Sequence, residues 1–179
     1  ILVSVVALIV SSPIMLIEAL AIKLEDGGPV FFKQPRVTKD GAIFQVLKFR
    51  TMIVDADKNK KRLASQDDDR ITKVGRIVRK LRIDELPQFI NILKGEMSVV
   101  GPRPEQAEIT EKYVEVLPEF RYRLKVKAGL TGLAQILGKY NTTPKYKLIL
   151  DLIYIEQYSI WVDLKLMLQT VKVLFKSDS

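Results

Sequence analysis

The chain opens with an apolar stretch, residues 1–22, in which Glu18 is the only charged residue. At about 1.5 Å per residue, a helix of this length crosses a bilayer core roughly 30 Å thick. Ser11, Ser12 and Pro13 stand in its middle, and a proline inside a helix removes one backbone hydrogen bond. Because each half is too short to span, we predict a re-entrant helix-break-helix, with the serine hydroxyls bonding the freed carbonyls. A kinked transmembrane helix is the alternative, and hydropathy alone slightly favours it.

A short β-hairpin is predicted next. Residues 25–29 (Glu-Asp-Gly-Gly-Pro) form a turn that ends the apolar segment. Residues 30–32 and 43–49 are rich in β-formers, and Lys39, Asp40 and Gly41 between them are a hairpin signal.

The remainder of the pattern is helical, with two loops. A polar helix is predicted over residues 55–66, and an apolar stripe at helical spacing runs through residues 71–81. Pro87 suits the first turn of a further helix that stops at Gly95, and it biases Leu86 away from helical geometry. Residues 105–122 are helical in character, and residues 147–174 predict one or two amphipathic helices. Residues 98–104 and 129–133 are predicted loops.

These elements predict an α+β fold, helix-rich and membrane-associated, with an N-terminal re-entrant segment and a small β-hairpin. We divide the chain into a membrane-embedded segment, residues 1–24, and a cytoplasmic catalytic domain, residues 25–179. The cytoplasmic side follows from the basic charge of the second part, in line with the positive-inside rule.

Composition narrows the chemistry of the site. The 179 residues contain 29 Lys and Arg against 21 Asp and Glu, a formal net charge of +8, which favours anionic partners. Cysteine and histidine are both absent, which excludes thiolate and zinc-thiolate sites and Ser-His or Cys-His catalysis. Any catalysis therefore uses carboxylates, Lys, Arg, Tyr, hydroxyls or a metal ion.

A pair of acidic residues, Asp84 and Glu85, follows a run of cations and precedes Leu-Pro-Gln. Residues 70–82 hold six cations and no acid: Arg70, Lys73, Arg76, Arg79, Lys80 and Arg82. Cations lower the pKa of a nearby carboxylate and attract anionic substrates, and a carboxylate beside a divalent metal suits attack on a phosphoryl group. The pair is expected at a helix junction, close to a positive helix N-terminus. A solvated basic helix that ends in ordinary acidic residues is the alternative.

A second candidate is Arg103, which lies between Pro102 and Pro104. A loop with two prolines is stiff, so it can hold a guanidinium in place for bidentate phosphate binding.

Taken together and in order, these segments resemble the bacterial sugar transferases, also called polyprenyl-phosphate hexose-1-phosphate transferases or monotopic phosphoglycosyl transferases. The likeness runs nearly end to end, and the insertion at residues 138–144 is typical of longer members, of which this chain would be the catalytic portion. The matching segments are Ser12-Pro13, Gly28-Pro29-Val30-Phe31-Phe32, Lys48-Phe49-Arg50-Thr51-Met52, Arg79, Asp84-Glu85-Leu86-Pro87-Gln88, Asn91, Gly95, Ser98, Gly101-Pro102-Arg103-Pro104, Gly129-Leu130-Thr131-Gly132-Leu133-Ala134-Gln135, Asp151 through Tyr154, Ser159 and Asp163.

The resemblance implies a phosphoglycosyl transferase that moves sugar-1-phosphate from a UDP-sugar to polyprenyl (undecaprenyl) phosphate and releases UMP. It implies that Asp84 is the nucleophile of a covalent phosphosugar intermediate, and that Glu85 is its partner at a Mg²⁺ ion. Substrate-binding positions carried over from the family are Lys48, Arg79, Gln88 and Arg103.

The resemblance also places the chain in the bacterial cytoplasmic membrane, with the catalytic domain on the cytoplasmic face, at the first membrane step of exopolysaccharide, capsule, O-antigen or glycoconjugate synthesis. Its partners would be the UDP-sugar, undecaprenyl phosphate and membrane lipid, without nucleic acid; a homodimer is left open. Two rivals remain: a membrane-anchored basic module that binds anionic lipid or nucleic acid, and a non-catalytic scaffold with the same fold. The sugar itself is not predicted.

Overall fold

The computed structural model of the chain describes residues 1–56, 68–138 and 142–174. The predicted polar helix over residues 55–66 and residues 139–141 of the insertion therefore lie largely or wholly outside the described residues. Two compact units make up the chain: Ile1–Lys33 with Leu47–Ile90, and Gln34–Val46 with Asn91–Ser179. Helices and short strands occur throughout, so the predicted α+β class is confirmed.

Helix α1 covers Leu2–Asp26 without interruption, so the predicted break in the helix is wrong. The physical reason lies in the two serines. Pro13 leaves the Ile9 carbonyl without its amide donor, and the Ser12 hydroxyl donates to that carbonyl at 2.8 Å. The Ser11 hydroxyl donates to the Ala7 carbonyl at 2.6 Å. The predicted bonding of a freed carbonyl by a serine hydroxyl is therefore confirmed for Ser12, whereas Ser11 bonds a carbonyl that Pro13 does not free. The path of the helix through a membrane stays a prediction.

The burial pattern of α1 is the opposite of that of a helix in a water-soluble domain, where apolar side chains are buried and polar side chains are exposed. Its buried positions are Ser4, Ser11, Glu18 and Ile22, which follow at spacings of seven, seven and four residues on one side. Large apolar side chains elsewhere on the helix are exposed, and its most apolar 18-residue window has a mean hydropathy of 2.4. By length and composition α1 could cross a membrane.

The predicted hairpin is confirmed. Strands β1 (Phe31–Val37) and β2 (Ile43–Phe49) pair in a two-stranded sheet, and the 3₁₀ turn Lys39–Gly41 lies between them. Asp40 and Gly41 both have positive φ, at 57° and 80°, as a tight reversal of two strands requires.

In the first unit, the chain after β2 is bonded to the segment that leads into helix α2 (Lys73–Lys80). The Ile53 amide donates to the Arg70 carbonyl at 2.9 Å, and the Thr72 amide donates to the Thr51 carbonyl at 3.1 Å. Thr72 caps α2 by accepting from the Gly75 amide at 2.9 Å. The α2 N-terminus is thereby fixed directly beside the end of β2.

The chain then reverses at Arg82, whose φ is 57°, and forms the 3₁₀ turn Ile83–Glu85 before helix α3 (Gln88–Leu93). The expectation that Leu86 avoids helical geometry is wrong, since its φ and ψ are −55° and −38°. The bias of a residue before proline is weak, and here Leu86 donates to the Ile83 carbonyl and accepts from the Phe89 amide, at 3.0 and 3.1 Å.

In the second unit, two segments predicted as loops contain short strands, β3 (Ser98–Val100) and β4 (Gly129–Thr131). They pair in parallel, with Ser98 opposite Gly129 and Val100 opposite Thr131. A Cβ on Gly129 would lie 2.1 Å from the amide nitrogen of Gly101, so glycine is needed for this close approach. The strands are only three residues long and glycines lie beside them, and glycines are typical of loops. The two segments were predicted as loops for this reason.

Helices cover the remainder of the second unit. Helix α4 is Ala107–Val116, and a 3₁₀ stretch, Pro118–Lys125, follows it. The helical character predicted for residues 105–122 is therefore confirmed for most of that range, which is divided at Leu117 into an α-helix and a 3₁₀ stretch. Helix α5 is Leu133–Leu137, and the C-terminal segment forms two helices, α6 (Pro144–Glu156) and α7 (Ile160–Leu174), as one of the two predicted outcomes. Val100, Tyr154 and Leu166 form a buried core cluster of this unit.

Candidate active site

Asp84 and Glu85 lie on the 3₁₀ turn between α2 and α3, so the predicted helix junction is confirmed. Arg82, in the left-handed conformation, starts that turn. Both acidic side chains are half-buried. A reversal of the chain thus presents two neighbouring carboxylates at the end of the cationic helix.

Lys48, on β2, contacts the second carboxylate directly. Its Nζ lies 2.6 Å from Glu85 Oε1, and the two side chains are only 22% and 15% exposed. A half-buried ion pair at this distance holds the Glu85 side chain in one orientation and offsets its charge. The structure therefore joins two of the predicted site residues, with Lys48 acting here on Glu85.

Arg79, on the last turn of α2, is half-buried and donates from Nε to Thr51 Oγ1 at 2.8 Å. Burial lowers the pKa of Arg79 from its ordinary value, and the carboxylates of Asp84 and Asp68 oppose that shift. A guanidinium with an ordinary pKa above about 12 stays protonated under such a shift. Asp84 is thus within electrostatic reach of a fixed positive charge.

Gln88 is the one buried member of the six predicted site residues, with 3% of its surface exposed. It begins α3, three residues after the 3₁₀ turn ends at Glu85. Lys48, Arg79, Asp84, Glu85 and Arg103 are all half-buried, so they are more accessible to a substrate than Gln88.

Glu18 of α1 was not among the predicted site residues. It is 5% exposed, and neither carboxylate oxygen has a hydrogen-bond partner among the described residues. Its charge interacts with that of Asp84, so a third carboxylate accompanies the pair. The signal in the sequence was its isolation as the only charge in 22 apolar residues, since an ionisable group inside an apolar helix is expensive to keep.

Arg103 belongs to the second unit, and the backbone of its loop is fixed by hydrogen bonds. The carbonyl oxygens of residues 102–105 each accept a hydrogen bond, which supports the rigidity predicted from the two prolines. The donors, in order along the loop, are Gly129 N at 2.9 Å, Arg123 Nη2 at 2.9 Å, Arg36 Nη1 at 3.1 Å and Val37 N at 3.0 Å. Pro102 and Pro104 are buried, and Arg103 is half-buried.

A divalent metal would be held by Asp84 and Glu85. No group of three or more acidic, His or Cys residues that could hold a metal occurs within residues 1–56, 68–138 and 142–174. Mg²⁺ needs no such group, because it is usually bound by one or two carboxylates with substrate phosphates and several waters. The buried carboxyl of Glu18, which has no hydrogen-bond partner among the described residues, lies within electrostatic reach of Asp84. The residues present fit Mg²⁺.

The sequence profile of the family described as "Bacterial sugar transferase" matches residues 1–177. A relative from Aeromonas hydrophila, named UDP-N-acetylgalactosamine-undecaprenyl-phosphate N-acetylgalactosaminephosphotransferase, is 41% identical over 97% of this chain and 42% of its own length. A relative from Caulobacter vibrioides, named UDP-glucose:undecaprenyl-phosphate glucose-1-phosphate transferase, is 44% identical over 94% of this chain and 65% of its own length.

A third relative, from Streptococcus agalactiae and named galactosyl transferase CpsE, is 47% identical over 83% of this chain and 35% of its own length. The chain thus spans between about a third and two thirds of these curated relatives. Their printed names differ in the sugar and, for the first two, agree on undecaprenyl phosphate.

Proposed function

The chain belongs to the bacterial sugar transferase family, and from that membership we propose that it transfers sugar-1-phosphate from a UDP-sugar to undecaprenyl phosphate and releases UMP. The observation that carries the proposal is the half-buried Asp84–Glu85 pair on a turn, with Lys48 bonded to Glu85 and Arg79 within electrostatic reach of Asp84, in a chain that the family profile matches over residues 1–177. The printed names of two relatives describe the same class of reaction.

Asp84 is the proposed nucleophile. One of its carboxylate oxygens attacks the phosphorus that carries the sugar, and the bond from that phosphorus to the UMP oxygen breaks. UMP leaves, and the sugar phosphate stays on Asp84 as an acyl phosphate. A phosphate oxygen of undecaprenyl phosphate then attacks the same phosphorus, which forms the diphosphate-linked sugar lipid and returns Asp84 as a free carboxylate.

The cations have separate roles in this proposal. Arg79, fixed to Thr51, stands beside Asp84 and offsets the negative charge that gathers when a carboxylate meets a diphosphate. Lys48 keeps Glu85 oriented through their 2.6 Å ion pair. Arg103 binds donor phosphate through its planar fork, and its clamped backbone reduces the entropy lost on binding. Gln88, buried below the turn, contributes to the donor site by supporting α3 and the turn before it.

Mg²⁺ is the proposed cofactor, with Asp84 and Glu85 as its protein ligands. When bound, it supplies charge neutralisation on the phosphates of the donor.

We further propose that the first 24 residues are embedded in the bacterial cytoplasmic membrane on a re-entrant path, and that residues 25–179 lie on the cytoplasmic face. The support is the inverted burial of α1, in which three of the four buried residues are polar (Ser4, Ser11 and Glu18) and most of the large apolar side chains are exposed. Because α1 is continuous, a re-entrant path requires a bend at Pro13, where the Ile9 carbonyl is bonded by a side chain instead of an amide. Undecaprenyl phosphate carries its phosphate at the membrane surface, where such a chain would meet it.

The proposal is tested by UMP release from the detergent-solubilised chain with undecaprenyl phosphate, Mg²⁺ and a panel that contains UDP-glucose, UDP-galactose and UDP-N-acetylgalactosamine. We expect continued UMP release with at least one donor. When undecaprenyl phosphate is omitted, UMP release should stop after a single turnover per chain. An Arg76→Ala variant, altered at an exposed cation outside the proposed site, is the matched control and should retain release. Absence of UMP with every UDP-sugar tested, from folded protein, would contradict the proposal.

A further inference from the structure

One buried ion pair of the second unit acts directly on the backbone of Arg103. Arg123, in the 3₁₀ stretch Pro118–Lys125, donates from Nη2 to the Arg103 carbonyl at 2.9 Å. The same guanidinium is bound by Asp151 of α6, with Nε and Nη2 at 2.9 and 2.8 Å from Asp151 Oδ2. The side chains of Arg123 and Asp151 are 3% and 2% exposed.

The remaining contacts of Arg123 leave it little freedom to move. Its guanidinium lies over the ring of Phe120, 4.7 Å from the ring centroid, and Phe120 is fully buried. Asp151 anchors one edge of the planar fork, which directs Nη2 at the loop. Arg123 is therefore pre-oriented before any substrate binds.

Stability alone is a poor reason for such a pair. A buried ion pair is often no more stabilising than apolar side chains of the same volume, because both charges lose their hydration. Of the four donors that hold the carbonyls of residues 102–105, Arg123 is the one that bonds to Arg103 itself and is fixed by a buried carboxylate. This arrangement ties the backbone of the phosphate-binding candidate to α6.

We propose that Arg123, held by Asp151, is a positioning residue that sets the orientation of Arg103 toward the diphosphate of the donor. This inference rests on the proposed function of Arg103 as a phosphate ligand. Arg123 itself does not touch the substrate in this proposal. It acts through one hydrogen bond to the Arg103 carbonyl.

The first test is Arg123→Lys in the full chain, with UDP as the probe for the diphosphate. A lysine can keep the charge pairing with Asp151, but a single ammonium group cannot replace the fork that reaches both Asp151 and the Arg103 carbonyl. We expect the dissociation constant of UDP to rise about tenfold or more, as for loss of one hydrogen bond from a charged donor. The midpoint of thermal unfolding should stay within a few degrees of the wild type. Asp151→Asn, which keeps an acceptor but removes the charge, should show a smaller rise.

A double-mutant cycle separates positioning from packing. If Arg123 acts through Arg103, Arg123→Lys should have no effect on UDP affinity in an Arg103→Ala background. Leu166→Ala, a buried position of α7 and not of the helix that carries Asp151, is the matched control for general loss of stability. It should lower the unfolding midpoint and weaken UDP binding by the same factor in both backgrounds, or leave binding unchanged.

Hydrogen exchange decides the inference independently of binding. The Gly101 and Gly129 amides, which bond to the Thr131 and Pro102 carbonyls, should exchange faster in Arg123→Lys than in the wild type. Unchanged exchange, or equal effects of Arg123→Lys with and without Arg103, would overturn the inference. A wild-type chain that binds no UDP would instead contradict the proposed function, and the exchange result would then decide the inference alone.

Discussion

Gly75→Ala should destabilise the chain, although an alanine inside a helix normally has the opposite effect. Gly75 lies in the first turn of α2, and a Cβ built there would be 2.1 Å from the Thr51 carbonyl oxygen. Real Cβ atoms essentially never approach other atoms closer than 3.0 Å, and the neighbour here is backbone and not a flexible side chain. Helix α2 must therefore move away from Thr51 by roughly 1 Å.

The magnitude follows from two opposing effects. Glycine to alanine in a helix interior stabilises by roughly 0.5–1 kcal/mol, whereas overpacking a tight site costs about 1–3 kcal/mol. The net loss should be about 1–2 kcal/mol, which for a chain of this size lowers the unfolding midpoint by roughly 2–8 °C. Thr51 also binds Arg79 Nε, so the shift displaces Arg79 from Asp84. Misplacement of a site group by about 1 Å can lower turnover as much as ~10²-fold.

The assays are thermal unfolding of the purified chain in detergent and UMP release at saturating UDP-sugar. Arg76→Ala, an exposed position of the same helix, controls for changes in helix propensity and should shift the midpoint little. A Gly75→Ala protein that is as stable as the wild type, with normal UMP release, would refute the packing of α2 against Thr51.

Three further predictions follow from the site and from α1. Arg103→Lys should raise the KM for the UDP-sugar about tenfold or more despite the retained charge, because the planar guanidinium fork is lost. Equal KM values for the variant and the wild type would show that Arg103 contributes only its charge. Chelation of divalent metal with EDTA should abolish UMP release, and Mg²⁺ should restore it; full activity in EDTA would exclude the metal. Ile1→Cys, in a chain without native cysteine, should be labelled from the cytoplasmic side alone, and labelling from outside would establish a spanning helix.

Local patterns predicted those parts of the fold whose contacts are local. The hairpin followed from β-formers around Lys39, Asp40 and Gly41, and the hydrogen bond from Ser12 to the Ile9 carbonyl followed from the position of Pro13. The continuity of α1 was not predicted from the sequence. The hydrogen bond from the Ser12 side chain satisfies the carbonyl freed by Pro13, and the helix continues where a break was expected. Strands β3 and β4 pair across about 30 residues, and no local pattern reports such a pairing.

In the candidate site too, the features that depend on local sequence were predicted, and those that depend on tertiary packing were not. Asp84 and Glu85 were predicted because two acids after six cations are conspicuous in sequence, and the structure confirms their place at a helix junction. The pairing of Lys48 with Glu85 could not be predicted, since it depends on where β2 lies relative to the turn. The proximity of Glu18 to Asp84 likewise depends on how α1 packs within the first unit.

The central claim is that Asp84 carries the sugar phosphate, and mass spectrometry of the chain after incubation with a UDP-sugar and Mg²⁺, without undecaprenyl phosphate, tests it most directly. We expect one sugar-phosphate adduct on the peptide that contains Asp84, with one UMP released per chain. The adduct should disappear when undecaprenyl phosphate is added and should be absent in Asp84→Asn. An adduct on any other residue, or an Asp84→Asn chain that turns over at the wild-type rate, would contradict the account.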